Sequence, residues 1–367
     1  MKTAKSICCS GLLWSVIIAF MATCLAWTSP RAEPLNIATS TTDLAAIARA
    51  VAGPHAVVTS VCSGEEDPHF IQAKPSHMVM IRNADLWIRV GMDLEIGWER
   101  PVLDGSRNAA IREGGPRHLD ASEKVMRLEV PTGRVTRAMG DVHPQGNPHY
   151  WLDPLNARIA AKSIANRLCK IEPKHAEDFR KNLVLFRESL DCRMFGKGLT
   201  AKYGGARLWS LLLKGQLDSL LEGISRGGSS GDGNAGDTNL GGWLGRMKPF
   251  RGQKIVAYHR SWIYFANRFD LVVIAELEPK PGIPPSPSHL ARVIETMKAE
   301  RVKAVVMEPY YNRKPADLAA SRSGARVVIC PLSVGGAPDI KDYLTLMDNM
   351  VDQISEALQP EFSRNKP

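Results

Sequence analysis

The segment Lys254-Ile255-Val256-Ala257-Tyr258-His259 is a short β-branched, apolar run that stops at a histidine. Leu271 to Leu277, Val302 to Glu308 and Ala325 to Pro331 repeat the pattern downstream, with helical spacing between them. Upstream, Leu35 to Ser40, His55 to Val61, Ala84 to Gly91 and Arg117 to Leu119 do the same. Short strands alternating with helices are the βαβ rhythm of a parallel sheet. Two such sets predict two α/β lobes, each a parallel sheet flanked by helices, over 33–172 and 203–367.

Between the lobes, Asp153-Pro154 offers an N-cap and a first-turn proline for a helix through Cys169. Pro173 opens another, in which Phe179, Leu183, Phe186 and Leu190 recur every three or four residues and make one apolar stripe. This predicts a long, stiff linking helix over 173–202. Trp209 and the leucines at 211–213 predict a short helix packed on the second lobe. The stretch from about 226 to 242 is rich in Gly, Ser, Asp and Asn and cannot bury enough apolar surface to order itself, so a surface insertion is expected there.

At 367 residues, with 44% hydrophobic and 23% charged content, the chain is an ordinary globular composition long enough for two domains. Lys2 and Lys5, an apolar run from Gly11 to Ala26, and Thr28-Ser29-Pro30-Arg31 form the layout of a secretory signal over 1–32, cleaved after Ala26 or Ala32. The run is shorter than the roughly 20 residues a membrane span needs. Cys24 is an alternative lipid attachment point, although Met21-Ala22-Thr23 fits a lipobox poorly. The folded chain is therefore expected outside the cytoplasm, touching the membrane at this end only through such a lipid. Cys62, Cys169, Cys192 and Cys330 remain for the folded region and could form up to two disulfides, though Cys169 and Cys192 are not expected to pair directly. The net charge of +9 is scattered without a dense basic run, which speaks against nucleic acid as a partner.

Three histidines stand where an element ends and a turn begins: His69 after Asp67-Pro68, His149 after Asn147-Pro148, and His259 at the end of the run quoted above. In open α/β sheets ligands bind beyond the carboxyl ends of the strands, where His69 and His259 are expected. Neutral imidazole is the commonest zinc ligand, and three with one more donor complete a tetrahedron. The preceding prolines would restrict the backbone and help hold two of the rings.

Gly64-Glu65-Glu66-Asp67-Pro68-His69-Phe70 with Lys74-Pro75-Ser76, Gly146-Asn147-Pro148-His149-Tyr150-Trp151-Leu152-Asp153-Pro154, and Tyr258-His259-Arg260-Ser261-Trp262 with Tyr264-Phe265 resemble the signatures of the zinc/manganese solute-binding proteins of ABC importers. Glu278-Pro279, the proline-rich run to Ser288, and Glu308-Pro309 resemble the same family's second lobe. The resemblance spans nearly all of the chain after the signal except 204–245. It implies two lobes joined by one long helix, with Zn2+, or alternatively Mn2+, held in the interlobe cleft by His69, His149 and His259 and passed to a permease and ATPase complex. No enzymatic turnover and a monomer are expected.

Relatives commonly place an aspartate at the end of the last strand of the second lobe, where this chain has Cys330. A thiolate there would favour zinc over manganese. Alternatively Cys330 is a buried small hydrophobe, with Glu308, Glu66 or water completing the sphere. His143 lies where zinc-type relatives carry a histidine-rich tract, and reads as a solvated loop residue or as an aid to metal collection. His77 and His289 read as surface residues near helix starts, Asp153 as a helix cap, and His55, His118 and His175 carry no signal. Tyr150, Trp151, Trp262, Tyr264 and Phe265 either line the metal cleft or belong to lobe core. Two further readings are an extracellular zinc hydrolase with Glu308 or Glu66 as general base, and a metal-binding adhesin or surface lipoprotein. No HExxH signature or nucleophile elbow supports a hydrolase.

Overall fold

In the computed structural model, Leu35–Thr39 (β1), Ala56–Ser60 (β2), Leu86–Arg89 (β3) and His118–Asp120 (β4) pair in the order β2-β1-β3-β4, every neighbour parallel. Lys254–Ala257 (β5), Val272–Glu276 (β6), Ala304–Met307 (β7) and Arg326–Ile329 (β8) repeat this as β6-β5-β7-β8. Each expected run yields one strand, seven of them trimmed at their ends and Arg117 to Leu119 shifted by one residue to His118–Asp120. The structure describes residues 33–136, 142–227, 239–280 and 282–360. The expected signal over 1–32, Cys24 within it, and most of the Gly-rich insertion lie outside these residues.

Helices cover both faces of the sheets, so the strands need not alternate: all four residues of β7 are buried. In each lobe the chain leaves the first strand towards one edge and later returns to its other side. The resulting switch points, between β1 and β3 and between β5 and β7, open crevices at the carboxyl ends of the strands.

Asp153 caps the helix Pro154–Ile171 by accepting from Leu155 N at 2.9 Å. Over 173–202 the chain forms a 3-10 turn at Pro173–His175, the helix Ala176–Phe195 and a separate short helix, Lys197–Tyr203. Gly196, at φ +91°, divides the two helices where a Cβ would stand 3.0 Å from Gly241 Cα. The apolar stripe does its expected work, with Phe179, Phe186 and Leu190 buried. Trp209, in the helix Gly205–Leu213, lies edge-on to Phe195 at 5.0 Å and donates to Asp191 at 2.6 Å.

One apolar core runs from Leu35 through both sheets to Leu358, so the lobes share packing. Polar bonds reinforce the seam. Trp151 Nε1 donates to Leu332 O at 2.9 Å, Tyr343 Oη to Trp151 O at 2.6 Å, and Val334 N to Asp43 Oδ1 at 3.0 Å. Arg268 makes a buried two-pronged pair with Asp153, both bonds 2.7 Å. Gly64 meets the second lobe so closely that a Cβ would lie 2.2 Å from Val334 O. Cys62, Cys169, Cys192 and Cys330 are all free, so neither of the two possible disulfides forms. Packing explains the two buried ones: Cys62 sits among Ile81, Trp87 and Trp98, and Cys330 in the main core.

Candidate metal centre

His69 lies in a 3-10 turn, Pro68–Phe70, after β2; His149 caps the 3-10 turn Tyr150–Leu152; His259 follows β5. These three elements converge. Each histidine offers a ring nitrogen within 4.8 Å of the others, and the ring centroids stand 5.1 to 5.5 Å apart. All three side chains are buried, at 7%, 3% and 5% exposure. A depression lined by Glu129, His143, Asn147, His149, His259 and Arg260 leads to them from the surface.

Each ring is held at Nδ1 by a side-chain oxygen. His69 Nδ1 donates to Asp67 Oδ1 at 2.8 Å, His149 Nδ1 to Asn147 Oδ1 at 2.9 Å, and His259 Nδ1 to Glu278 Oε2 at 2.7 Å. Occupying Nδ1 fixes the tautomer and leaves the Nε2 lone pair as the donor to an ion. Asp67 and Asn147 also accept from the backbone N of the histidine two residues on, locking ring and turn together. Sequence reasoning credited the prolines for holding the rings and passed over these three acceptors. Asp67 and Asn147 could have been found as the same Asx-Pro-His device used twice.

The electrostatics suit a cation. Burial, together with His69, His259 and His143, holds His149 well below the ordinary imidazole range, so it is neutral and able to ligate. Burial works against charge on His259 too, but the bond from Glu278 and the charges of Glu308, Glu278 and Asp67 outweigh it and raise its value. Burial likewise opposes ionisation of Asp67, and His69 more than compensates, holding the carboxylate below its usual range.

Neither Glu308 nor Cys330 joins the group of converging donors. Glu308 follows β7 and is fully buried; its Oε1 accepts from Ser261 Oγ and, at 3.1 Å, from Trp262 Nε1, and burial pushes its carboxyl up to about 7. Cys330 is fully buried among core residues, and burial raises its thiol far above the ordinary value. Here the geometry matches the small-hydrophobe alternative. Glu66 is exposed and accepts from Ser63 N at 2.7 Å. His143 is not solvated: it is buried, with its ring 5.4 Å from that of His69. His77 is buried as well, and Ser76 does not cap its helix. Trp151 lies 5.3 Å from the His149 ring, Trp262 supports Glu308, and Tyr264 Oη accepts from Leu128 N while donating to Asn147 O. Tyr311 Oη crosses from the second lobe to Asp67 Oδ2 at 3.0 Å.

Two α/β lobes that bring three oriented imidazoles together beyond their strand ends define a metal solute-binding protein of the kind that serves ABC importers. The chain belongs to the family described as zinc-uptake complex component A, periplasmic, whose profile matches residues 37–192 and 244–357. It is 21% identical over 346 residues to the high-affinity zinc uptake system protein ZnuA of Brucella abortus, covering 83% of this chain and 89% of that one. A putative metal-binding protein of Chlamydia muridarum is 29% identical over 141 residues, 38% of this chain and 45% of the relative. Among solved structures, a zinc-bound deletion mutant of ZnuA superposes with a TM-score of 0.62 at 20% identity, over 90% of this chain and 100% of that one.

Proposed function

We propose that the chain captures Zn2+ in the periplasm through Nε2 of His69, His149 and His259 and delivers it to an ABC permease driven by its ATPase. The observation that carries this reading is the common engagement of Nδ1 by Asp67, Asn147 and Glu278, which turns three buried rings into one converging set of nitrogen donors. Such a set favours zinc over manganese, which prefers oxygen. His143, whose ring stands 5.4 Å from that of His69, is the nearest candidate for a fourth donor besides water. A hydrolase finds less support: Glu66 is exposed and Glu308 is held by Ser261 and Trp262. Sequence-level zinc-uptake relatives and the secretory layout of 1–32 support a periplasmic carrier.

Thermal unfolding of chelator-stripped protein with Zn2+, Mn2+ or Fe2+ added tests the reading. Zinc at 100 times its dissociation constant adds about 2.7 kcal/mol of stability, and His149→Ala abolishes the gain. A larger shift with manganese would transfer the cargo to that ion, and no shift with any metal would sink the proposal.

A further inference from the structure

A second cluster of metal-binding side chains lies away from the cleft, built from residues that carried no signal in the sequence. His55 closes the turn Gly53–His55 that feeds β2, His175 closes the turn Pro173–His175, and Asp178 sits in the first turn of the helix Ala176–Phe195. Folding brings them together across 123 residues of chain. His55 Nε2 stands 2.8 Å from Asp178 Oδ2, and His175 Nδ1 stands 3.9 Å from the same oxygen. The imidazoles stack with centroids 3.8 Å apart and planes inclined by 21°.

One ligand atom from each residue lies within 4.8 Å of the other two. Donors around tetrahedral zinc stand roughly 3.3 Å apart, and because stacked rings inclined by only 21° cannot both aim an in-plane lone pair at one ion, one imidazole turns out of the stack to complete the chelate. A single hydrogen bond accounts for His55 and Asp178. Stacking on His55 and the edge of Phe179 hold the second imidazole within reach of the same oxygen. The side chains are 21%, 29% and 54% exposed, which admits an ion and leaves room for water as the remaining ligand. Solvent and the positive end of the helix both weaken cation binding here relative to the buried cleft.

We propose that His55, His175 and Asp178 form a second site for a divalent transition metal of the zinc class, weaker than the three-histidine centre. Occupied, it ties the turn before β2 to the foot of the helix that links the lobes.

Zinc titration of the full mature chain against a chromophoric chelator, with bound metal counted at equilibrium against known free zinc, is the test. The wild type takes up two equivalents, the second more weakly. His55→Gln with His175→Gln leaves only the tight equivalent, and Asp178→Asn weakens the second by tenfold or more. Retention of the tight equivalent shows that the variants are folded and that the central centre is intact. A single equivalent in the wild type under a large excess of zinc overturns the second site, as does a second equivalent that survives in the double variant. Should the variants not fold, the wild type decides: a second equivalent of Co2+ shifts or broadens the ring resonances of His55 and His175, and unperturbed rings refute the proposal.

Discussion

The two lobes hold their imidazoles by different means. In the first, the acceptor comes from two residues upstream: Asp67 for His69 and Asn147 for His149. In the second, it comes from Glu278, 19 residues downstream, beyond the end of the neighbouring strand. A local device is complete once its turn forms. The second needs β5 and β6 in register, and that register shifts between Ile255 and Val256 before Ala257 meets Glu276. Leu277 N donates to Ala257 O and Glu278 N to Tyr258 O, extending the pairing until the carboxylate lies beside His259. His259 is thus oriented by tertiary structure, and by a charge where His149 has a neutral amide.

Removing the non-local acceptor should have the largest effect. Glu278→Ala is expected to weaken zinc binding by roughly 10- to 100-fold, the usual cost of losing a group that orients a metal-binding histidine. Asn147→Ala should cost less, because no negative charge is lost with the bond. Competition against a chelator of known affinity measures both. Equal losses would erase the distinction between the lobes, and an unchanged affinity for Glu278→Ala would remove this carboxylate from the account of the site.

The same division between local and distant decides what the sequence disclosed. The strands were legible, most plainly β1, β3, β5 and β7 inside the sheets, where burial makes for apolar runs bounded by breaks. The three converging histidines were legible because each marks the end of an element. Glu278 was not, since its part depends on the register of β6 against β5. Nor was the burial of His143, which depends on how its loop folds back towards His69. The break at Gly196 escaped a reading of apolar periodicity, because its positive φ and the close approach of Gly241 are tertiary facts. The pairing of His55 with His175 is likewise invisible until the helix Ala176–Phe195 packs against the turn Gly53–His55.

The seam sharpens the comparison between lobes by showing how firmly they are joined. Asp43, in the first lobe, accepts from Val334 N of the second, and burial pushes its carboxyl from 3.8 up to about 7. Between about pH 4 and about pH 7 the folded chain therefore keeps a proton that the unfolded chain has released. Stability from this group is present in full below that window and is lost as pH rises through it, by an amount on the order of 1 to 2 kcal/mol once the buried carboxylate relaxes. Asp43→Asn keeps an acceptor for Val334 N and cannot ionise. It should flatten that part of the profile in thermal unfolding followed from pH 4 to 8, and a profile identical to the wild type would mean the carboxylate is already ionised at the seam.

The smallest effect on metal is expected where the second lobe most invited a ligand. Cys330 follows β8 at the strand end where the resemblance led to the expectation of a ligand, but the pleat turns Ile329 outward, at 37% exposure, and Cys330 wholly inward. Its backbone N completes the ladder to Met307 O, and its side chain joins the core. Burial, with the nearby charge of Glu308, raises the thiol well above its ordinary value. Cys330→Ala should accordingly leave zinc affinity within twofold of the wild type while lowering stability by about 1 kcal/mol, the scale for deleting one buried heavy atom. Cys330→Ser should cost more stability, because it buries a hydroxyl in an apolar setting, again with affinity unchanged. A tenfold drop in affinity with Cys330→Ala would mean that the bound state draws the sulfur out of the core, and the second lobe would then supply two donors to the ion, as many as the first.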